Sequence, residues 1–183
     1  MKFIDTELDG AFIIEHGTIE DNRGRFSRLI CANELKKIGH TGNFVQVNHS
    51  YTKQAGSVRG LHFQIPPTAE IKVVKCIKGA VFDVIVDIRR NSPTFLVWCG
   101  QNLTELNMKM MYIPKGFAHG FQTLNPDSEL IYFHTEFYTP DHEGALHYND
   151  PQLSINWPLP VCDISERDAS HPFLDEIFEG LII

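Results

Sequence analysis

The chain is short of positive charge, since 16 lysines and arginines face 23 aspartates and glutamates and leave a formal net charge of −7. Nucleic acids and anionic membrane surfaces attract proteins of the opposite sign, so neither is expected as the main partner. A negative balance still permits a local basic pocket for one small anion. We therefore expect a small-molecule ligand.

Long hydrophobic runs are also missing. No apolar stretch approaches the ~20 residues of a membrane-spanning helix, and the first ten residues, MKFIDTELDG, contain no apolar segment of signal-peptide length. The four cysteines lie far apart and form no Cys-x-x-Cys pair. We expect reduced thiols in a cytoplasmic protein. The missing export signal carries most of this inference, because an even number of cysteines is compatible with disulfides.

Common catalytic motifs are absent as well. The chain has neither the glycine pattern of a dinucleotide fold or P-loop nor a Gly-x-Ser-x-Gly sequence. None of its nine histidines forms a close i, i+2 pair on a strand, which disfavours a catalytic metal, although distant ligands such as His119 can converge in a fold. General acid–base chemistry is the route that stays open.

What the chain has in abundance is short β-like segments. They follow one another at close intervals, over residues 11–21, 44–52, 71–90, 95–103, 108–114, 118–124 and 129–139. The stretch 71–90 is predicted to fold as two strands at Lys78-Gly79. Helices are predicted only over 31–39, ended by Gly39, and near 175–180. This pattern predicts one all-β domain over residues 1–183, a jelly-roll-like barrel with a few short peripheral helices.

Strand alternation assigns side chains to faces. In residues 81–88, Asp83 and Asp87 point away from an apolar face. In residues 129–139, one face carries a leucine, two tyrosines, a histidine and a glutamate: Leu130, Tyr132, Tyr138, His134 and Glu136. Such a face fits either solvent exposure or the polar wall of a cavity, and the strand alone does not decide between them.

Three residues have the chemistry for proton transfer. A histidine such as His62, in the segment SVRGLHFQ, is the commonest general base near neutral pH. A phenol such as Tyr132 can act as the opposing acid, and a lysine such as Lys72 can stabilise a developing enolate. Each also has a plain structural explanation, because strand histidines and tyrosines usually pack and lysines are usually solvated. Spacing alone does not bring the three together.

Several stretches closely resemble the dTDP-4-dehydrorhamnose 3,5-epimerase family: SVRGLHFQ, IKVVKCIKGAVFDVIVDIRRNSPT, IPKGFAHGF, LIYFHTEFY and YNDPQLSINWP. The resemblance runs from about Gly10 to Asp168. It implies a cupin-type jelly roll, a homodimer, and no metal or organic cofactor. It also implies epimerisation of a nucleotide-linked 4-keto-6-deoxyhexose for the deoxysugars of surface polysaccharides.

The resemblance assigns roles to individual residues. His62 matches the catalytic base, Tyr132 the acid on the opposite face of the sugar, and Lys72 the lysine near the 4-keto oxygen. Asp168 matches the carboxylate that pairs with the histidine, although Ser165-x-x-Asp168 is also a helix-capping pattern. The remaining motif positions are substrate-binding: Arg23, Phe26, Arg28, Gln46, Asn48, Arg59, His119, Tyr138, Glu143 and Arg167.

The position of Arg59 is open at the level of sequence. Simple alternation puts Arg59 and His62 on opposite faces of one strand. Gly60 between them can permit a bulge that redirects one of the two side chains. Alternatively, Arg59 reaches the site of a partner subunit.

Arg28 departs from the family pattern, which usually has a glutamate beside the thymine ring at this position. Arginine only donates hydrogen bonds, and cytosine presents acceptors at N3 and O2. A mispaired buried hydrogen bond discriminates strongly between ligands, so we expect a CDP-linked rather than a dTDP-linked substrate. In the alternative, Arg28 turns outward or takes a phosphate and leaves the base unread.

Two other functions fit the same sequence. One is a keto-isomerase that moves the carbonyl of a similar nucleotide sugar. The other is a sugar-nucleotide-binding barrel without catalysis, which the joint presence of His62, Tyr132, Lys72 and Asp168 disfavours. Whether an epimerase inverts C3, C5 or both is not encoded in these motifs.

Overall fold

The structure, a computed structural model, describes residues 1–175 and 177–183. Among these residues, the strands are β1 Lys2–Asp5, β2 Phe12–Glu15, β3 Thr18–Asp21, β4 Gly24–Ser27, β5 Gln46–Thr52, β6 Val58–Gln64, β7 Lys72–Lys78, β8 Ala80–Asp87, β9 Trp98–Thr104, β10 Lys109–Ile113, β11 Phe117–Thr123, β12 Ser128–His134 and β13 Glu143–Ala145. The helices are α1 Ala32–Leu35 and α2 Glu166–Ala169, with single 3₁₀ turns at Lys36–Ile38 and Pro140–His142.

Two antiparallel sheets form the barrel. The first has the strand order β1-β2-β10-β7-β12-β5, and the second has the order β13-β6-β11-β8-β9. Strands β3 and β4 form a separate hairpin outside both sheets. The prediction of an all-β, cupin-type jelly-roll barrel with short peripheral helices is confirmed. No helix in the described part of the chain is long and apolar enough to cross a membrane.

The β7–β8 hairpin shows how local sequence shapes the fold. Gly79 turns the chain at a φ of 76°, a conformation that costs a glycine little, as the Lys78-Gly79 signal predicted. Along β8, alternate side chains then point to the two sides of the second sheet. Val81 and Ile85 enter the core between the sheets, whereas Val84 and Val86 face outward.

The outward face of the second sheet is covered by the C-terminal segment. Val84 and Val86 pack there with Leu153 and with the partly buried Trp157. Fully burying a side chain of this size contributes roughly 1.5–3 kcal/mol. Leu153 and Trp157 are therefore part of the packed domain, and the chain that follows them places α2 beside β6 at the mouth of the barrel.

Some predicted elements end earlier than expected. The run 11–21 is divided into β2 and β3. Strand β12 stops at His134 because its antiparallel neighbours β5 and β7 both begin opposite that residue. The helix predicted over 31–39 is α1 with its 3₁₀ extension, ended by Gly39 at a φ of 78°. No helix forms at residue 175 or at 177–180, and Glu176 lies outside the described residues.

Candidate active site

A cavity of about 810 Å³ opens between the two sheets, a volume typical of small-molecule sites. Strands β5, β7 and β12 form one wall, β6 and β11 form the other, and α2 lies at the mouth. Of the fourteen residues predicted for the site, eleven line this cavity: Gln46, Asn48, Arg59, His62, Lys72, His119, Tyr132, Tyr138, Glu143, Arg167 and Asp168. The polar face of β12 is therefore a cavity wall and not a solvent-exposed surface.

A bulge at Gly60 lets Arg59 and His62 line the same cavity. In the pairing of β6 with β11, His62 lies opposite His119 and Arg59 lies opposite Phe121, so β6 carries one extra residue over this interval. Gly60 has a φ of 122°, and a Cβ there would lie 2.5 Å from the Cα of Gly120. Glycine is therefore required at position 60, and the bulge alternative for Arg59 is confirmed.

His62 and Asp168 form the first functional pair. Nε2 of His62 lies 2.9 Å from Oδ1 of Asp168, and the backbone N–H of Gly60 donates to the other carboxylate oxygen over 3.2 Å. Asp168 is buried, which by itself raises its pKa, but the hydrogen bonds from His62, Gly60 and Ser165 outweigh burial and leave the pKa lowered. The carboxylate therefore stays ionised and fixes the orientation of the imidazole.

Ser165 caps the N-terminus of α2, as the Ser165-x-x-Asp168 pattern indicated. The backbone N–H of Asp168 donates to Oγ of Ser165 over 3.0 Å, which caps α2. Because the cap uses the backbone of Asp168, its carboxylate remains available for His62. Both interpretations of Ser165-x-x-Asp168 hold at once.

Tyr132 comes from the opposite sheet. Its hydroxyl lies 2.9 Å from Oγ of Ser50, and its ring meets the ring of His119 edge-on at a centroid distance of 6.2 Å. Nε2 of His119 is held 2.8 Å from Oδ1 of the fully buried Asp83. Burial raises the pKa of Tyr132, so the phenol keeps its proton at neutral pH and can donate it.

Lys72 belongs to a network that the sequence did not reveal. Its Nζ lies 3.2 Å from Oε1 of Glu70, and the other oxygen of Glu70 accepts from Nδ1 of His134 over 2.7 Å. Nε2 of His134 lies 3.4 Å from the side-chain amide of Asn48. Burial alone raises the pKa of Glu70, but the bonds from His134 and Lys72 leave it lowered. An ionised Glu70 thus holds the lysine on the cavity wall.

The rim of the cavity joins β5 to the C-terminal segment. Oε1 of Gln46 accepts from the backbone N–H of Tyr138 over 3.1 Å, and the Tyr138 hydroxyl donates to Glu143 over 2.8 Å. Arg167 also bonds to Glu143. The hydrogen bond to Glu143 raises the pKa of Tyr138, so this half-exposed ring is neutral and offers a flat face for stacking.

The charges around the cavity single out Arg59. Lys72 and Arg167 are both paired with glutamates, whereas Arg59 has no carboxylate partner among residues 1–175 and 177–183. Its Nε donates to Oγ1 of Thr52 over 3.0 Å, which leaves further N–H groups for an anion. A guanidinium in this position suits a phosphate group.

Three predicted residues do not line this cavity. They lie on or directly after the β3–β4 hairpin, where Arg23 pairs with Asp21, Phe26 is 70% exposed, and Arg28 lies 3.3 Å from Glu34. Within one chain, therefore, none of the three reaches the ring of side chains around His62. Their role in substrate binding stays a prediction.

The comparison with known proteins tests the family resemblance that the sequence motifs indicated. Residues 5–176 match the family described as dTDP-4-dehydrorhamnose 3,5-epimerase. The chain belongs to this family. An enzyme of that name from Salmonella typhimurium is 42% identical over 178 residues, which cover 96% of this chain and 97% of the relative.

Solved structures agree with this membership. A dTDP-4-dehydrorhamnose 3,5-epimerase from Bacillus anthracis, with TDP and pyrophosphate bound, superposes with a TM-score of 0.92 at 41% identity, covering 94% of this chain and 99% of that one. A dTDP-6-deoxy-D-glucose-3,5-epimerase from Legionella pneumophila, in complex with dTDP-4-keto-L-rhamnose, gives 0.91 at 42% identity over 96% and 94%. The protein is thus an isomerase, an epimerase that acts on sugar nucleotides.

The expectation of a CDP-linked substrate is not supported. The family and these relatives are named for dTDP- or TDP-linked compounds. Arg28, on which the expectation rested, pairs with Glu34 outside the cavity, so its donors are already directed toward a carboxylate of the same chain. Within one chain, this arginine points away from the cavity around His62.

Proposed function

We propose that the protein epimerises a dTDP-linked 4-keto-6-deoxyhexose at C3, C5 or both, as a step in deoxysugar biosynthesis. The observation that carries this proposal is the placement of His62 on β6 and Tyr132 on β12, which belong to different sheets and line one cavity. A base and an acid on facing walls can remove a proton from one side of a ring and return one from the other.

The proton transfer begins at His62. Its Nε2 carries the ring proton and donates a hydrogen bond to Asp168, so the lone pair of the neutral imidazole lies on Nδ1. Nδ1 removes the hydrogen from the carbon beside the ketone, and Asp168 stabilises the resulting imidazolium. The electron pair of the broken C–H bond moves onto the C4 oxygen and gives an enolate.

The enolate is stabilised and then reprotonated. Lys72, held by Glu70, provides positive charge near the C4 oxygen. The attraction between the ammonium and the enolate oxygen is stronger in a partly desolvated pocket than in water. Tyr132 donates its proton from the other wall, which inverts the centre. The chain itself supplies base, acid and enolate-stabilising group, and this supports a reaction without metal or organic cofactor.

The remaining cavity residues are proposed to bind the nucleotide. Arg59 meets the diphosphate beside His119, and Tyr138 stacks on the base at the rim. Gln46 and Asn48 contact the nucleotide side, with a hydrogen bond of 3.2 Å between their side chains already in place. Glu143 and Arg167 hold Tyr138 in position.

We further propose a cytoplasmic homodimer. All four cysteines are free thiols, which fits a reducing compartment. The exposed hairpin carries Arg23 and Phe26 outside the cavity of its own chain. In a homodimer, these two residues can line the cavity of the second copy. An apolar ring that is 70% exposed is a common feature of a contact surface.

The direct test uses dTDP-4-keto-6-deoxyglucose in heavy water, followed by NMR. We expect deuterium at C3, C5 or both, together with inverted configuration at the labelled carbon. A ketone that has moved to another carbon indicates a keto-isomerase, and an unlabelled sugar that is bound but unchanged indicates a binding protein. Either result would refute the proposed function.

A further inference from the structure

His171 lies beside the catalytic pair and has no part in the proposed proton transfers. It follows α2 by two residues, and one ring nitrogen, together with donor atoms of His62 and Asp168, forms a group within 4.8 Å of one another. Nε2 of His171 is buried and has no hydrogen-bond partner among the described residues. A buried ring nitrogen without a partner is costly to maintain, and it is free to act as a ligand.

The three donors match the preferences of one class of metal ion. Two imidazole nitrogens and one carboxylate oxygen suit Zn²⁺, whereas Mg²⁺ and Ca²⁺ prefer oxygen alone. Tetrahedral ligands about 2.0–2.1 Å from zinc lie about 3.3 Å from each other. Nε2 of His62 and Oδ1 of Asp168 are 2.9 Å apart and have to separate slightly, and all three donor atoms lie within 4.8 Å of one another, so small side-chain movements bring them to zinc-binding distances.

The surroundings favour a cation with an open coordination position. Asp168 brings a negative charge, and the positive charge of the adjacent Arg167 is paired with Glu143. The side chain of His62 is 30% exposed toward the cavity, which leaves room for water as a fourth ligand. Three protein ligands and one water form the open type of zinc site.

We propose that His62, Asp168 and His171 form an inhibitory Zn²⁺ site. Zinc binds a lone pair on Nε2 of His62. Without zinc, this nitrogen carries the ring proton and donates a hydrogen bond to Asp168, so the proton has to leave it. The single proton of the neutral ring then resides on Nδ1, and the ring no longer has a lone pair facing the sugar. Bound zinc therefore switches off the base by changing its tautomer. The effect on turnover rests on the proposed function, but the binding does not.

Binding is tested without turnover, by titrating the protein with Zn²⁺ and following the imidazole nitrogens by ¹⁵N NMR. We expect one zinc per chain, with the proton of His62 moving from Nε2 to Nδ1. The variant His171→Asn is expected to bind zinc at least about tenfold more weakly, since even supporting residues of a zinc site contribute that much. An unchanged His62 signal at saturating zinc would overturn the site, whatever the enzyme does to sugars.

Turnover is tested next, with and without zinc and with EDTA to reverse it. His171→Asn is expected to keep the basal rate and to lose most of the inhibition. The matched control His49→Asn removes an exposed histidine that pairs with Glu129, and it is expected to remain as sensitive as wild type. Equal inhibition of His171→Asn and wild type would mean that zinc acts by sequestering the diphosphate of the substrate, and the proposal would fail.

Discussion

Nε2 of His62 and Oδ1 of Asp168 lie 2.9 Å apart, although 106 residues separate them in the chain. Replacing Asp168 with Asn keeps a hydrogen-bond acceptor but removes the charge that stabilises the imidazolium. We expect kcat to fall by ~10²–10⁴ while dTDP binds as before. Turnover by NMR and calorimetric titration with dTDP check the two parts. A variant with wild-type kcat would remove Asp168 from its proposed role.

Tyr132→Phe separates proton removal from proton return. His62 is intact in this variant, so it can still abstract the hydrogen and give back a solvent proton on the same side. We expect continued deuterium incorporation with loss of inversion, and His62→Ala is expected to lose both. NMR of the recovered sugar measures both quantities at once. Inversion at the wild-type rate in Tyr132→Phe would mean that another group is the acid.

Glu70→Gln tests whether the glutamate positions Lys72. The amide has nearly the same shape as the carboxylate but no charge, so Lys72 loses its counter-ion and its fixed place. We expect kcat to fall by ~10–100-fold with little change in KM, because the interaction matters most for the enolate.

His134 provides the matched comparison for Glu70. His134→Gln retains a side-chain donor toward Glu70 and is expected to stay near wild type, whereas His134→Leu is expected to lie between wild type and Glu70→Gln. If all three variants lose activity equally and unfold at lower temperature, the network is structural and does not position the lysine.

His16 predicts a dependence of stability on pH. Burial, followed by the positive charges of Lys75, the N-terminus and Arg25, lowers the pKa of His16 from 6.5 to about 4. Between these two pKa values, His16 is protonated in the unfolded chain and neutral in the folded chain. The free energy of unfolding therefore falls as the pH drops through this window. The full difference is on the order of 3 kcal/mol.

His16→Leu should remove this dependence. Urea unfolding at pH 5 and pH 8 gives the difference in free energy of unfolding between the variant and wild type at each pH. We expect this difference to favour the variant more at pH 5 than at pH 8. His49→Leu, at an exposed histidine, is the control and should show no such gain. A stability difference between His16→Leu and wild type that is equal at both pH values would contradict the prediction.

The proposed dimer predicts complementation between two damaged chains. If Arg23 serves the cavity of the partner, a mixed dimer of Arg23→Ala and His62→Ala chains contains one cavity with both residues intact. We expect activity to appear on mixing two weakly active preparations. A mixture that stays at the sum of its parts, under conditions where subunits exchange, would show that the hairpin acts only within its own chain.

Local patterns predicted the parts of the fold that depend on near neighbours in sequence. The β7–β8 hairpin at Gly79 and the helix ended by Gly39 are examples, since glycine at positive φ encodes a turn by itself. Alternation placed Asp83 opposite an apolar face but did not show that its side faces the barrel interior. That depends on which sheet covers it, and this is a long-range property.

The site shows the same limit. The family resemblance identified His62, Tyr132, Lys72 and Asp168, and all four line one cavity. Glu70 was missed because its partner His134 is brought near only by the pairing of β12 with β7, which aligns His134 with Lys72. Its signal in the sequence was a carboxylate two residues before the candidate lysine. The role predicted for the hairpin residues stays a prediction, because a motif records which residues a family shares and not which chain they serve.

The long separation between His62 and Asp168 has a consequence during synthesis. A ribosome releases the strand that bears the imidazole well before it has translated the carboxylate that orients it. A nascent chain can thus assemble most of its sheets while the base is still free to rotate. The base is oriented only once α2 has been translated, and a chain that stopped before α2 would form a barrel whose imidazole lacks its carboxylate partner.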